Sequence, residues 1–286
     1  MFISLSMATE HTTDTELRIE FFFRPGTWWT DEQLRGYTGE LEEIAGDCFM
    51  EVPRYQCLTG DRKELSRNVI TIARDHANRA IAFCSAVILE VDGFQNILHL
   101  GLTCVRKEAR GMSLTHRLTS RLIMGYLLRT SILKKIWVTN VACVISSLGN
   151  VAMHFENVYP SLYGKTQPSS QHLDIARSVD LQFRIPIAIN QDAVFEPETF
   201  VFRGSVDGTV FQKSQKDSRY FHRDSDLTFY YSSLMNFKKG DEVLQVGQVG
   251  LLSYPKYKLK MFLSGIRRFI PMPAPFKKGK PLSRKI

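Results

Sequence analysis

The 286-residue sequence has no acidic residue after Glu242. Residues 243–286 hold ten of its 37 basic side chains, so the chain before them carries 27 basic and 29 acidic groups although the whole chain has a formal charge of +8. The basic character therefore belongs to the C-terminal stretch, which argues against one nucleic-acid-binding surface spread over the whole protein. A hydrophobic content of 44% and a charged content of 23% exclude wholesale disorder.

Long hydrophobic runs are also missing. The longest, at 80–89, has about ten residues and contains Ser85, which is too short to span a bilayer. The first seven residues lack a basic segment and a full apolar run, so they do not resemble a signal peptide. We expect no membrane partner.

Cysteines are few and no two of them form a Cys-x-x-Cys pair. An odd number of widely spaced cysteines argues against a disulfide framework and against a zinc knuckle. The seven histidines show no ligand spacing, so no metal is expected. These observations favour a reducing compartment, the cytoplasm, with a nuclear location open because of the basic C-terminal tail. The cysteines are Cys48, Cys57, Cys84, Cys104 and Cys143.

Strand and helix periods alternate over residues 16–165. Apolar residues alternate from Leu17 to Phe23, which predicts a strand, and the capping-box spacing of Thr30 and Gln33 predicts the start of a helix. The full set of predictions is a strand at 17–23, a helix at 31–46, a strand at 69–73, a hairpin of 81–91 with 96–105, a helix from 114 to about 131, a strand at 136–140, and a last helix that carries Val151, Phe155 and Val158 before Pro160.

The second arm of the hairpin has an unusual face. His99, Gly101 and Thr103 share one side of the predicted strand, which is small and polar in its middle. Because both faces of a central strand normally need apolar cover, this face predicts a cleft.

A strand that leads through a basic, glycine-bearing loop into a helix can bind anions. The N–H groups at a helix start point outward, and the helix dipole favours a phosphate there. Arg110 and Gly111 fit this role, and Arg106 and Lys107 add positive charge. An ordinary strand-to-helix turn with solvated charges has the same residues, so the pair alone leaves both interpretations open.

The order of elements around this loop resembles the GNAT superfamily of N-acetyltransferases. The family signature, Arg/Gln-x-x-Gly-x-Gly/Ala, fits Arg110 at its first position, whereas Ser113 and Thr115 stand where small residues belong. The stretch 155–160 resembles the family's Tyr-Glu-Lys-Leu-Gly-Phe. The resemblance covers about half of the chain. It implies a mixed α/β (α+β) fold whose central, largely antiparallel sheet is flanked by helices and followed by a C-terminal extension.

The resemblance implies acetyl-CoA, or another acyl-CoA, as co-substrate and an amine as acceptor. Ser113 and Thr115 bring Cβ atoms into a loop where glycine lets the backbone approach a pyrophosphate, but their hydroxyls can donate to phosphate oxygens. The residues that the resemblance places at the cofactor are Cys104, Val105, Arg110, Gly111, Met112, Ser113, Leu114, Thr115, Asn140 and Asn150.

Transfer to an amine needs a base and a proton for the leaving thiolate. Some family members carry a glutamate base at the position that His99 occupies here, and a histidine pKa of about 6.5 suits that task. The alternative is a histidine hydrogen-bonded to a strand neighbour or water. The family's tyrosine acid corresponds to Phe155, which has no proton to give, so Tyr159 and Tyr163 are the candidates. Packing at a domain seam is the alternative for both.

The C-terminal third is predicted to complete the sheet and to add an extension. Its strand-like runs are 181–189, 199–202, 227–231 and 242–249. The predicted organisation is a flexible N-terminus at 1–15, an acyl-CoA-binding core at 16–165, C-terminal strands with the extension at 166–262, and a basic tail at 263–286.

The first functional hypothesis is an acyl-CoA-dependent N-acyltransferase that uses an acetyl group and a primary amine. A second keeps the fold but drops catalysis, leaving a coenzyme-A-binding or interaction module. A third is a nucleic-acid-associated protein that acts through its basic tail. The sequence does not name the acceptor, which is either a small molecule or a protein.

Overall fold

In the computed structural model, residues 17–164, 167–251 and 253 are described. Within them one sheet has the strand order β1-β2-β3-β4-β5-β9-β8-β7, and β6 also pairs with β9. All neighbouring strands are antiparallel except β4 and β5. The strands are β1 (Arg18–Phe23), β2 (Asn68–Arg74), β3 (Ala80–Leu89), β4 (Ile97–Val105), β5 (Ile136–Ala142), β6 (Glu156–Tyr159), β7 (Val194–Glu196), β8 (Val201–Arg203) and β9 (Glu242–Val249).

Helices cover both faces of the sheet. Helices α3, α4 and α6 pack on one face, and α1 and α5 pack on the other. The mixed α/β fold with a largely antiparallel sheet is thus the predicted class. The helices are α1 (Asp31–Gly46), α2 (Arg62–Leu65), α3 (Leu114–Thr130), α4 (Ile145–His154), α5 (Ser170–Gln182) and α6 (Ser225–Leu234).

The predicted start of α1 is confirmed. The Thr30 hydroxyl accepts the Gln33 N–H at 3.1 Å, and the Gln33 side chain accepts the Thr30 N–H at 3.0 Å. This reciprocal cap satisfies two N–H groups that the first helical turn leaves without partners. The helix then buries Leu41 and Ile44 against the sheet.

Three segments differ from the sequence prediction. The last predicted helix ends at His154, and residues 156–159 form β6, because β9 offers them a strand edge to pair with. The run 227–231 lies in α6, where Leu227 and Tyr231, four residues apart, share the buried face of the helix. A short aromatic run of this kind has no decisive period, so its conformation depends on the cap before it. That cap is Asp224, which accepts the first N–H groups of the helix.

The run 181–189 is also not a strand. It contains the end of α5 and a 3-10 turn at Ile185–Ile187. Strand β9, by contrast, falls where a strand is predicted and lies inside the sheet, with β5 on one side and β6 and β8 on the other. The segment between β6 and β9 supplies α5, β7, β8 and α6.

The predicted flexible N-terminus and basic tail lie outside the described residues. Among the helices that are described, none is long and apolar enough to cross a membrane.

Candidate functional site

The two parallel strands pair over a short length only. Residues Leu98–Leu100 of β4 face Val138–Asn140 of β5, although β4 continues to Val105 and β5 to Ala142. Beyond the paired residues the strands diverge. Their carboxyl ends therefore enclose a gap, and the loop 106–113 that leads into α3 begins at the same edge.

A β-bulge marks the point where the gap begins. In the register with β3, Leu100 faces Ala86 and Thr103 faces Cys84, so Gly101 and Leu102 together oppose Ser85. The Leu102 N–H donates to the Ser85 hydroxyl at 3.2 Å. The bulge also reverses the face of the sheet to which each later side chain of β4 points.

The prediction that His99, Gly101 and Thr103 share one face of β4 is therefore wrong. His99 pairs with Val87 and Thr103 pairs with Cys84, and these β3 residues lie on opposite faces because their separation is an odd number of positions. A single inserted residue changes the face of every residue that follows it.

Gln56 covers the bulge from the α1 side of the sheet. Its Oε1 accepts the Ser85 hydroxyl at 3.1 Å, and a Cβ on Gly101 would lie 1.9 Å from that oxygen, which explains the glycine. Gln56 is buried and has a left-handed φ of 47°, a conformation that costs free energy in a non-glycine residue. Its amide donates to the Tyr55 hydroxyl. The hairpin pattern predicts a polar cleft here, but it does not predict that Tyr55 and Gln56 lie beside it.

The loop before α3 presents a group of N–H donors. Gly111 has a φ of 88° and Ser113 a φ of 55°, and the Ser113 side chain does not cap the helix. Within the described part of the chain, the N–H groups from Gly111 to Thr115 have no hydrogen-bond partner. Such a set at a helix start suits a phosphate. Met112, Ser113 and Thr115 are exposed, whereas Leu114 is buried under the helix.

The basic side chains of the loop are largely engaged by α1. Arg106 is buried, donates to the Ala80 carbonyl at 2.9 Å and pairs with Glu43 at 2.8 Å. Arg106 is thus not available to a ligand, contrary to the prediction. Lys107 lies 4.0 Å from Asp47, and Arg110 donates to the Asp47 carbonyl at 3.0 Å while remaining exposed. Arg110 and the exposed Lys107 are the loop cations that keep donors for a ligand.

The end of β4 contacts the turn after α1. The Cys48 thiol donates to the Val105 carbonyl at 3.5 Å, and Cys104 is buried beside it. A hydrogen bond with the Cys104 thiol lowers the pKa of Cys48 to about 6, with further help from Arg110. Cys104 and Val105 therefore lie at the gap, but the Val105 carbonyl already has a partner.

His99 is buried in the sheet and does not face solvent. Its Nδ1 lies 3.0 Å from the Thr139 hydroxyl, and only 1% of the residue is exposed. Burial lowers the pKa of His99 to about 3, so the ring is neutral and weakly basic near pH 7. This geometry favours the alternative of a histidine satisfied by a strand neighbour.

The two asparagines have different surroundings. The Asn140 amide donates to Gln245 at 3.1 Å, and Gln245 donates in turn to the Tyr231 hydroxyl at 2.7 Å, so Asn140 belongs to a buried network under α4. Asn150 is exposed on α4.

The two tyrosines do not meet His99. Tyr159 pairs with Val246, Val246 with Thr139, and Thr139 with His99, which puts three strand spacings, about 14 Å, between them. The Tyr159 hydroxyl donates to the Glu198 carbonyl at 2.8 Å. Tyr163 is more than half exposed and donates to Asp224 at 2.8 Å. Partial desolvation of its hydroxyl and this carboxylate raise the pKa of Tyr163 to about 12.

Glu242 is a buried carboxylate at the edge of the gap. Its Oε2 accepts the Ser205 hydroxyl at 2.6 Å, and 7% of the residue is exposed. Burial raises the pKa of Glu242 to about 7. Nothing in the sequence marks it, because more than one hundred residues separate it from the loop.

Among the described residues, no group of three or more histidine, cysteine, aspartate or glutamate side chains is placed to hold a metal ion.

No protein-family model matches the sequence, and no curated protein matches it. Solved structures of N-acetyltransferases are similar to part of the chain. An aminoglycoside N-acetyltransferase in complex with CoA is 16% identical, with a TM-score of 0.29 over 43% of this chain and 77% of that one. A ribosomal-protein-alanine N-acetyltransferase from Brucella melitensis biovar Abortus 2308 is 15% identical, with a TM-score of 0.29 over 40% and 75%.

An aminoglycoside 6'-N-acetyltransferase from Acinetobacter baumannii is 16% identical, with a TM-score of 0.27 over 38% of this chain and 70% of that one. These structures are all of the class that the sequence resemblance names. Each of them is similar to less than half of this chain.

Proposed function

We propose that this protein binds an acyl-CoA in the gap between β4 and β5 and transfers the acyl group, an acetyl group in the first instance, to a primary amine by direct attack. The observation that carries this proposal is the divergence of the two parallel strands beside a loop whose N–H groups from Gly111 to Thr115 lack partners.

The loop and the strand edge suit the two ends of coenzyme A. The pyrophosphate is anionic and matches the N–H groups at the start of α3 together with the exposed Arg110. The pantetheine arm carries amide groups, which pair with a strand edge in the way that an added strand does. From Gly101 to Val105 the edge of β4 is not paired with β5, and this edge is the one that suits the amide groups of the pantetheine arm.

In this proposal the reacting carbonyl lies at the bulge, next to the polar bridge of Tyr55, Gln56 and Ser85. Attack by a neutral amine forms the new C–N bond, and the C–S bond of the thioester breaks as coenzyme A leaves.

A coenzyme-A-binding module without transferase activity is the second candidate. The observations that favour it are the low pKa of the buried His99 and the distance between His99 and Tyr159. The nucleic-acid hypothesis concerns the basic tail, and the test for it is whether deleting 271–286 abolishes salt-sensitive binding to DNA or RNA.

Calorimetric titration with acetyl-CoA and a thiol-release assay over a panel of primary amines separate these candidates. Gly111→Asp puts a negative charge among the N–H groups, so we expect at least tenfold weaker acetyl-CoA binding. Gly93→Asp is the matched control, because Gly93 also has a positive φ, of 77°, and open space for a Cβ.

Equal binding by both variants would contradict the pyrophosphate site. Binding without thiol release for any amine would favour the inactive module, and no binding at all would reject both candidates.

A further inference from the structure

Glu242 lies at the edge of the sheet where the gap opens. It is the first residue of β9, and its neighbour Val243 pairs with Ala142, the last residue of β5. Since β4 and β5 are parallel and β9 is antiparallel to β5, the start of β9 and the carboxyl ends of β4 and β5 share one edge. Glu242 is on the α1 and α5 face, as are Leu244 and Val246.

The carboxylate has no salt bridge within the described residues. Its hydrogen bond comes from the Ser205 hydroxyl, and the N–H of Cys143, just after β5, also lowers its pKa. The positive charge of Lys213 also lowers the pKa of Glu242. The Lys213 ammonium, however, donates to the Val210 carbonyl at 3.3 Å and lies over the rings of Phe49 and Tyr220. A buried carboxylate without an ion pair is costly, and such a group is common at functional sites.

A chain of side chains connects Glu242 with the bulge. Burial and, after it, the Glu242 carboxylate raise the pKa of Tyr55, whose hydroxyl accepts from Gln56, and Gln56 lies over Gly101. The Tyr55 ring packs edge-on against Phe211 at 5.4 Å between centroids. The bulge and Glu242 therefore belong to one continuous cluster on the α1 side of the gap.

Aromatic rings and a carboxylate together suit an ammonium group. The ring of Phe49 packs against Phe211 at 5.7 Å, so Phe49, Tyr55 and Phe211 form an aromatic wall. The faces of such rings attract cations, and a carboxylate pairs with them. Lys213 already occupies a cation position over Phe49.

We propose that Glu242 is the general base that takes the proton from the acceptor ammonium, beside the aromatic wall of Phe49, Tyr55 and Phe211. This proposal rests on the proposed acyl-CoA function. The ammonium gives one proton to the Glu242 carboxylate, and the neutral amine attacks the thioester carbon. The second proton passes from the attached nitrogen to the departing sulfur, so coenzyme A leaves as its thiol, and Glu242 returns its proton to solvent.

The titration of Glu242 gives the reaction a characteristic pH dependence. Burial holds its pKa at about 7, and the groups that face it are Ser205 and Lys213 from the segment after β8, Tyr55 from the α1 side and Cys143 from β5. The base acts only when ionised, so kcat/KM should rise as the pH increases through about 7.

The test uses the full chain with acetyl-CoA and three probe amines: phenethylamine, spermidine and a lysine-containing peptide. Glu242→Gln should lower kcat/KM by about 100-fold or more, remove the rise near pH 7 and leave the acetyl-CoA affinity unchanged. Glu242→Asp, which keeps a carboxylate, should restore part of the rate and the pH dependence. Glu198→Gln changes an exposed glutamate and is the control.

A Glu242→Gln variant that keeps the wild-type rate and pH profile overturns the base and leaves the proposed function standing. Turnover of none of the three amines by wild-type protein that binds acetyl-CoA overturns the base as well. If acetyl-CoA itself does not bind, the proposed function fails, and that result is distinct from the other two.

Discussion

Glu242→Gln should change how the stability of the protein depends on pH. The folded chain holds the proton of this carboxyl with a pKa of about 7, against an ordinary value of 4.5. A raised pKa in the folded state means that the stabilisation is complete below about pH 4.5 and is lost as the pH rises toward 7. Between pH 5 and pH 8 the wild-type protein should lose about 2–3 kcal/mol of unfolding free energy through this one group.

The glutamine variant cannot ionise at this position and should not show that loss. Urea unfolding at pH 5 and pH 8, at constant ionic strength, gives the free energy of unfolding for both proteins. The remaining titrating groups are common to both, so the difference between their two pH slopes isolates Glu242. Equal slopes would refute the buried, ionisable carboxylate on which the base proposal depends.

Other changes test the remaining parts of the site. Gly101→Ala forces a Cβ against the buried Gln56 and should cost about 1–3 kcal/mol in urea unfolding, and the double change with Gln56→Ala should recover much of it; additive losses would contradict the contact. Between pH 7 and pH 5 the wild-type protein should lose about 2 kcal/mol of unfolding free energy through His99, because the lowered pKa makes the folded chain resist protonation. His99→Gln should not show this loss, and an unchanged pH dependence of stability would place His99 in solvent. Cys48, half-buried and with a pKa near 6, should react with iodoacetamide before the four buried cysteines, as peptide mapping would show, and acetyl-CoA should slow that reaction; labelling that ignores acetyl-CoA would separate Cys48 from the bound cofactor.

Local patterns were enough for the elements that surround the gap. The capping box at Thr30, the alternation of the β3–β4 hairpin and the apolar stripe of α3 each depend on residues within a few positions of one another. For the same reason the strand-to-helix loop at Arg110 and Gly111 could be located from local spacing, whereas its interpretation as an anion site also needed the family resemblance.

The face of the sheet to which each β4 side chain points could not be predicted in this way. The alternation of His99, Gly101 and Thr103 is correct along the chain, but the bulge opposite Ser85 is a property of the pairing with β3. Its position depends on which residue of the partner strand donates and accepts, and the sequence of one strand does not contain that information.

The sequence by itself determined the secondary elements of the first half, the loop before α3 and the location of the positive charge in the C-terminal stretch, because these follow from period, capping and composition. Only the tertiary structure decided that Arg106 is bound by Glu43, that His99 is buried against Thr139, and that Glu242 is buried beside Ser205. The physical reason is that burial and pairing decide which of these groups can reach a ligand, and both arise from contacts between residues that lie far apart in the chain.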